Sequence, residues 1–274
     1  MRGEFVDVRG ARLYYYAAGT RGAGEPVVLL HGFPTSGHLW ADVVPHLPQG
    51  HRTIVLDLLG FGRSDRPGSH AVDIHAHADR VIALLDALGI NFACLIGHDI
   101  GGAIALAAAL RHPPRVSRLG LVSAAAFDAW PPRDVKVVRA TLPLTRHLPP
   151  SWVSSVLRAD LLRGYVNADH AARSVDRYLQ PFGDADGRDA FFQHLQQLDP
   201  ADPDALTPRL GDIVQPTAVV WGRNDPFLPV KNAERLAAAI PSATLDIIEE
   251  GGHFVPEEQP QEVAQAIGRL ILRH

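Results

Sequence analysis

An aspartate stands at a predicted strand-to-helix turn in the middle of this 274-residue chain. Asp99 is the central residue of Gly97-His98-Asp99-Ile100-Gly101, which follows the apolar run 91–96 and precedes an Ala-rich predicted helix. The flanking glycines leave room for a sharp turn that lifts the central side chain above the sheet, where it can attack a substrate. The competing interpretation is an aspartate that only caps the helix. The glycine spacing favours the catalytic interpretation.

The residue type at this turn sets the chemistry. A serine would attack acyl carbons, whereas a carboxylate is better suited to displacing a leaving group from an alkyl carbon. The product is an ester between enzyme and substrate, which water must then hydrolyse. The sequence therefore predicts a nucleophilic Asp99 and a separate base for the second step, and it argues against an esterase or lipase.

His253 is the predicted base and Asp225 its partner. Among 14 histidines, His253 is distinguished by the preceding Gly251-Gly252 and by its place after the last predicted strand. It would deprotonate the water that hydrolyses the ester. Asp225 follows the predicted strand 217–220 and would orient His253 and stabilise its protonated form.

The order Asp99, Asp225, His253 resembles the nucleophile–acid–base order of α/β-hydrolases. Segments resembling that family follow four predicted strands and extend the resemblance over essentially the whole chain. They are His31-Gly32-Phe33-Pro34, Asp57-Leu58-Leu59-Gly60-Phe61-Gly62-Arg63-Ser64-Asp65, Trp221-Gly222-Arg223-Asn224-Asp225 and Gly251-Gly252-His253-Phe254. The resemblance implies an oxyanion hole made by the backbone N–H groups of Phe33 and Ile100, and a cis peptide before Pro34. It assigns no distinct role to His31 or His98.

An Asp nucleophile with this acid and base resembles three groups: epoxide hydrolases, haloalkane dehalogenases and fluoroacetate dehalogenases. The side chains of Ile100 and Phe33 cannot donate a hydrogen bond to a halide, and Ile100 cannot pair with a substrate carboxylate. Pro34-Thr35-Ser36 and Leu39-Trp40 nevertheless resemble the dehalogenase loop, as does Tyr178-x-x-Pro181-Phe182. Epoxide hydrolases keep the HGFP loop and tolerate an apolar residue after the nucleophile, and they need a proton donor in the cap.

The candidate proton donors are Tyr165 and Tyr178, with His194 or His170 as a substitute for one of them. Phe191-Phe192 stands where the family's second tyrosine often lies, which departs from the epoxide hydrolase pattern. We rank epoxide hydrolysis first, dehalogenation second and another hydrolase or lyase-like reaction third. The alternative of another class is a ligand-binding protein on a hydrolase scaffold without turnover.

The expected substrate is a small apolar organic molecule that reacts with water, and no cofactor is expected. The residues predicted to contact it flank the catalytic loops or lie in the cap: Trp40, Phe127, Trp130, Trp152, Tyr165, Tyr178, Phe191 and Phe227. Packing within the protein is the competing explanation for Trp152, Phe191 and the two tyrosines. His75 and His77 are two residues apart on a predicted helix and face different directions, so we assign no metal.

The elements that must position these residues alternate between strands and helices. A predicted hairpin (5–8 and 13–16) comes first, then strands at 27–30, 53–56, 91–96, 116–123, 217–220 and 245–248, with helices at 37–47, 73–88 and 101–110. Continuous apolar strands between helices predict an α/β fold with a mostly parallel sheet and helices on both faces. We predict an α/β-hydrolase core at 1–125 and 209–274, and an inserted cap of about four helices at 126–208, over the strands' carboxyl ends, where such sheets bind ligands.

Composition excludes several other classes. The formal charge of −4 and the lack of a basic run argue against a nucleic-acid partner. The single cysteine, Cys94, excludes an internal disulfide framework and any metal site built from several cysteines. The sequence shows no signal-peptide pattern and no long apolar stretch, so no membrane association is expected, and a cytoplasmic monomer or homodimer is the default expectation.

Overall fold

The computed structural model describes residues 3–19, 24–127, 136, 139–141, 147, 149–197 and 206–273. An eight-stranded sheet forms its centre, in the order β1-β2-β4-β3-β5-β6-β7-β8. β1 and β2 form an antiparallel hairpin, β2 pairs antiparallel with β4, and all further pairs are parallel. The expected α/β-hydrolase fold with a mostly parallel sheet is confirmed.

The strands lie close to their predicted positions. Their bounds are Gly3–Val8 (β1), Ala11–Ala18 (β2), Val27–Leu30 (β3), Thr53–Leu56 (β4), Ala93–Asp99 (β5), Val116–Ala124 (β6), Thr217–Gly222 (β7) and Ala243–Ile248 (β8). Every residue of β3, β4, β5 and β7 is buried. Burial on both faces explains why these strands are continuously apolar and not alternating.

Helices connect and cover these strands. Their bounds are Ile74–Ala87 (α1), Ile100–Arg111 (α2), Pro150–Arg163 (α3), Ala168–Leu179 (α4), Ala185–Gln197 (α5), Lys231–Ala239 (α6), Val255–Glu258 (α7) and Pro260–Ile271 (α8). Asp73 caps α1 by accepting a hydrogen bond from the N–H of Ala76.

The predicted helix at 37–47 is wrong. The segment contains two short 3₁₀ turns, Gly37–Trp40 and Val44–His46, with residues 41–43 between them. Pro45 has no N–H to donate, and its ring clashes with the preceding turn, so a continuous helix cannot pass through it.

Helices α3, α4 and α5 lie between β6 and β7 in the chain, and we call them the cap helices. They fall within the predicted cap at 126–208, much of whose first third lies outside the described residues. The division into a core (1–125 and 209–274) and a cap stays a prediction. Within the described residues, no helix is both long and apolar enough to cross a membrane.

Candidate active site

Asp99 occupies a strained turn between β5 and α2. Its backbone has φ +51° and ψ −122°, a conformation that is rare for a residue with a side chain. A Cβ added to Gly97 would lie 2.1 Å from the carbonyl oxygen of Gly101, so this turn requires glycine at position 97. The predicted strand–turn–helix geometry is therefore present, with Asp99 at its apex.

The two carboxylate oxygens of Asp99 have different surroundings. Oδ2 accepts a hydrogen bond of 2.9 Å from the N–H of Phe33, and the N–H of Ile100 also acts on this carboxylate. Oδ1 is buried and has no hydrogen-bond partner within the described part of the chain. The expected cis peptide between Phe33 and Pro34 is confirmed. One oxygen is thus held by a backbone N–H, while the other has no partner among the described residues.

Burial raises the pKa of Asp99 to about 6, and the charge of His253 and the N–H groups of Phe33 and Ile100 oppose that shift. Desolvation disfavours the charged form, whereas positive charge and hydrogen-bond donors favour it. Asp99 is therefore largely ionised at neutral pH and weakly solvated, which suits a nucleophile.

His253 and Asp225 form the second part of the site. Nδ1 of His253 lies 2.9 Å from Oδ2 of Asp225, and both side chains are almost completely buried. The other oxygen of Asp225 accepts hydrogen bonds of 2.9 Å from the N–H groups of Phe227 and Leu228. Asp225 is therefore fixed by backbone donors and in turn fixes the ring of His253.

Burial acts to lower the pKa of His253, but Asp225 and Asp99 more than offset it, so the pKa lies above its ordinary value. Two carboxylates stabilise the imidazolium form. Ester formation would neutralise Asp99 and so remove one of these two charges. The pKa of His253 would then be lower, which favours the neutral form that can act as a base.

His98 contacts the backbone of His253, which the sequence did not reveal. Its Nε2 lies 2.9 Å from the carbonyl oxygen of His253, and the two rings are 4.7 Å apart. Burial lowers the pKa of His98 well below its ordinary value, so the ring is neutral and can donate from Nε2. The available signal was its position directly before Asp99.

A cavity of about 270 Å³ opens between Phe33 and the cap helices α3 and α5. Its lining is mainly apolar, with Asp160 and Arg163 as its charged residues: Phe33, Trp152, Val153, Val156, Leu157, Ala159, Asp160, Arg163, Phe191, Phe192 and Leu195. The ring of Phe33 stacks on that of Phe191, with 5.4 Å between their centroids. Phe33, which lines this cavity, is also the residue whose N–H donates to Asp99. Asp99 itself is not a lining residue.

The structure does not bring Tyr165 and Tyr178 to this cavity. Both hydroxyls donate to the buried carboxylate of Glu257, Tyr178 to Oε1 at 2.5 Å and Tyr165 to Oε2. Burial, followed by the charge of Glu257, raises the pKa of both phenols. A sequence pattern cannot show which group a side chain faces. The two tyrosines were predicted to donate a proton to the substrate, but their hydroxyls already donate to Glu257.

The other predicted contact residues differ in placement. Trp152 and Phe191 line the cavity, and the ring of Phe227 packs edge-on against His253 with 5.1 Å between centroids. Trp40 is completely buried and Phe127 packs under the guanidinium of Arg235, so neither lines the cavity. Trp130 lies outside the described residues. That any of these residues contacts substrate stays a prediction.

Comparisons with known proteins agree with this architecture. Residues 25–260 match the model of a family described as alpha/beta hydrolase fold. A crystal structure of an alpha/beta hydrolase fold protein from Burkholderia ambifaria superposes with a TM-score of 0.84 at 26% identity, covering 100% of both chains.

Two curated proteins are similar along most of their length. The 2-hydroxy-6-oxononadienedioate/2-hydroxy-6-oxononatrienedioate hydrolase of Paraburkholderia xenovorans is 31% identical, over 95% of this chain and 89% of its own. The 2-hydroxymuconate semialdehyde hydrolase of Pseudomonas sp. strain CF600 is 30% identical, over 91% and 88%. Both are named as hydrolases, and neither is named as an epoxide hydrolase or a dehalogenase.

Proposed function

This chain is a hydrolase of the alpha/beta hydrolase fold family, and on that premise we propose that it hydrolyses a small apolar electrophile through a covalent ester on Asp99. The observation that carries the proposal is the asymmetry of the Asp99 carboxylate. Oδ2 is held by backbone N–H, while the buried Oδ1 lacks a partner within the described residues. A helix-capping aspartate would accept a hydrogen bond from the N–H of the second or third helical residue, Gly101 or Gly102, whereas the side chain of Asp99 makes no such capping hydrogen bond.

In the first step, Oδ1 of Asp99 attacks an alkyl carbon of the substrate. A bond between that carbon and Oδ1 forms as the bond to the leaving group breaks, and the leaving group departs with its electron pair. No base is needed, because the nucleophile is already ionised above a pH of about 6. The apolar cavity beside Phe33 supports a substrate with little charge.

In the second step, water cleaves the ester. His253 takes a proton from water through Nε2 while Asp225 holds Nδ1. The hydroxide attacks Cγ of Asp99, and negative charge develops on Oδ2, which already receives the N–H of Phe33. Collapse of this intermediate breaks the bond between Cγ and Oδ1, the product leaves with Oδ1 and takes the proton from His253, and the Asp99 carboxylate is regenerated with the oxygen of the water.

Epoxide hydrolysis is the first candidate for the leaving group. It is supported by the HGFP loop and by apolar side chains at Phe33 and Ile100, where a halide would need donors. Since Tyr165 and Tyr178 donate to Glu257, hydrogen bonds to the opening ring must come from another group. Arg163 lines the cavity and offers guanidinium N–H groups that can hydrogen-bond to an alkoxide.

Dehalogenation is the second candidate, and Trp152 is the observation in its favour. This side chain lines the cavity, and its indole N–H is a donor that can hold a halide. A departing halide also needs no proton, so the engagement of the two tyrosines by Glu257 does not weigh against this reaction.

A turnover panel on the wild-type protein tests the proposal. We expect saturable hydrolysis of small apolar epoxides such as styrene oxide, or of haloalkanes such as 1-bromobutane. Release of a diol without halide identifies the first reaction, and release of halide identifies the second. Turnover restricted to acids such as 2-hydroxymuconate semialdehyde, for which one relative is named, would contradict the proposal.

A further inference from the structure

The carboxylate of Glu257 joins the cap helices to the segment that carries the base. Glu257 lies on α7, the single helical turn that begins two residues after His253. Its two oxygens accept hydrogen bonds from the hydroxyl groups of Tyr178, on α4, and of Tyr165, between α3 and α4. Ser174 also acts to lower the pKa of this carboxylate. Two tyrosine hydroxyls from the cap region therefore converge on one buried group of the core.

Glu258, the next residue, makes a second set of links between the same two regions. Its Oε1 accepts the N–H groups of Val166 and Asn167 at 2.7 and 2.9 Å, directly before α4 begins. Its Oε2 accepts the N–H of Gly252 at 2.7 Å, directly before the base. One side chain thus fixes the start of a cap helix and the peptide next to His253.

The backbone of the base contacts the cap as well. The N–H of His253 donates to the carbonyl oxygen of Gly164, which ends α3, at 2.8 Å. A Cβ added to Gly252 would lie 2.5 Å from the same oxygen, so the two segments are in close contact. The cap helices and residues 252–258 are therefore connected by several hydrogen bonds within a few residues of the base.

We propose that Glu257 and Glu258 are positioning residues that dock the cap on the His253 segment, so that the base reaches the Asp99 ester only when the cavity is closed above it. This inference rests on the proposed function for the step it controls. Neither glutamate is required for Asp99 to attack the substrate. Both are required for His253 and the cap helices to keep one arrangement while water is activated.

The composition of the cluster supports a positioning role. No cation lies within ion-pair distance of Glu257 or Glu258 in the described part of the chain. Their oxygens are instead satisfied by hydroxyl and backbone donors, which have strict geometric requirements. Burial raises the pKa of Glu257 although the tyrosine hydroxyls act in the opposite direction. Burying a carboxylate without a cation costs free energy of folding, so a role in stability alone does not explain this glutamate.

The test compares Glu257→Gln and Glu258→Gln with Glu262→Gln, a matched exposed glutamate in the first turn of α8. Styrene oxide is mixed with each full-length variant, and the Asp99 adduct is followed by quenched-flow mass spectrometry. We expect ester formation within about threefold of wild type, and ester breakdown slowed about tenfold or more, the effect of a misplaced catalytic group. Glu262→Gln should change neither step.

Hydrogen exchange on the same proteins gives a second measurement, independent of turnover. The amides of residues 164–180 and of residues 251–258 should lose protection together in Glu257→Gln and Glu258→Gln. If a glutamine variant does not fold, Tyr178→Phe and Tyr165→Phe remove single donors from the same cluster. The slow breakdown and paired loss of protection should then appear in them at smaller size.

Two different failures can be told apart. If neither styrene oxide nor 1-bromobutane forms an adduct on Asp99 in His253→Gln, the proposed function is wrong, while the exchange data still decide the docking. If the adduct forms but breaks down in Glu257→Gln and Glu258→Gln as fast as in Glu262→Gln, the positioning role is wrong. Loss of protection in only one of the two segments would also overturn it.

Discussion

The turn at Asp99 and the cluster around Glu257 both bury a carboxylate, yet they leave it in opposite states. Burial raises the pKa of both groups. At Glu257 both oxygens accept hydroxyl hydrogen bonds from the cap region. At Asp99 one oxygen accepts a backbone N–H, and the other has no partner within the described residues.

On the proposed function, this difference distinguishes a carboxylate that attacks the substrate from one that holds the cap helices in position. A carboxylate whose oxygens are saturated by donors has no free electron pair directed at a substrate, whereas a half-satisfied one retains reactivity at a cost in stability. The same comparison explains why Tyr165 and Tyr178 are unsuited as proton donors. Each has one hydroxyl proton, and that proton is committed to Glu257.

The largest effect is expected at Asp99. Asp99→Asn removes the nucleophilic oxygen and should lower kcat/KM by at least about 10⁴-fold, as removing a nucleophile does in other covalent hydrolases. Glu257→Gln should retain ester formation, because that carboxylate does not attack. Steady-state assays on both variants check this contrast. Comparable turnover in Asp99→Asn and wild type would show that Asp99 is not the nucleophile, so it would not differ from Glu257 in function.

The same substitution should stabilise the fold at high pH. The pKa of Asp99 is about 6 in the folded protein, above the ordinary 3.8. Its stabilising contribution is therefore present below pH 3.8 and is lost as the pH rises through about 6. Asp99→Asn removes this penalty, worth up to roughly 3 kcal/mol. Urea unfolding should show a gain at pH 8 that shrinks toward pH 4, and a pH-independent difference would contradict the burial of a charged Asp99.

The activity should depend on pH through the same group. kcat/KM reports the free enzyme up to ester formation, so it should rise with pH through about 6 and then level off. An ordinary aspartate would give a flat profile from pH 5 upward. An initial-rate series between pH 4.5 and 9 measures this midpoint. A midpoint near 4 would show that Asp99 is more solvated than the structure indicates.

A smaller effect is expected in the cavity wall. Phe191→Ala removes the ring that stacks on Phe33 and should raise KM about 5- to 10-fold, the value of roughly one aromatic contact, with little change in kcat. Phe92→Ala, at an exposed position away from the cavity, is the control. Equal KM values in the two variants would show that substrate does not use this wall.

Much of the fold and of the catalytic turn follows from local sequence patterns. Short, continuously apolar segments such as Val27–Leu30, placed between predicted helices, are typical of a sheet buried on both faces. The glycines around Asp99 are a backbone requirement, since Gly97 has no room for a Cβ. Features of this kind depend on residues close in sequence, so they could be predicted.

Contacts between distant segments could not be predicted in the same way. Glu257 meets Tyr178 from 79 residues away, and His98 reaches the carbonyl of His253 from 155 residues away. A tyrosine directed at substrate and one directed at a buried glutamate have the same sequence pattern. Trp40 was predicted to contact substrate from its position near a catalytic loop, yet it is completely buried in the 3₁₀ turn that carries it.

The most direct test of the central claim is to trap the ester. In His253→Gln the base is absent, but Asp99 still needs none to attack. Incubation with styrene oxide should add the mass of the whole substrate to the protein, and incubation with 1-bromobutane the mass of the alkyl group without bromide. Peptide mapping should place the added mass on Asp99. An adduct on any other residue, or His253→Gln turning over at the wild-type rate, would contradict the account.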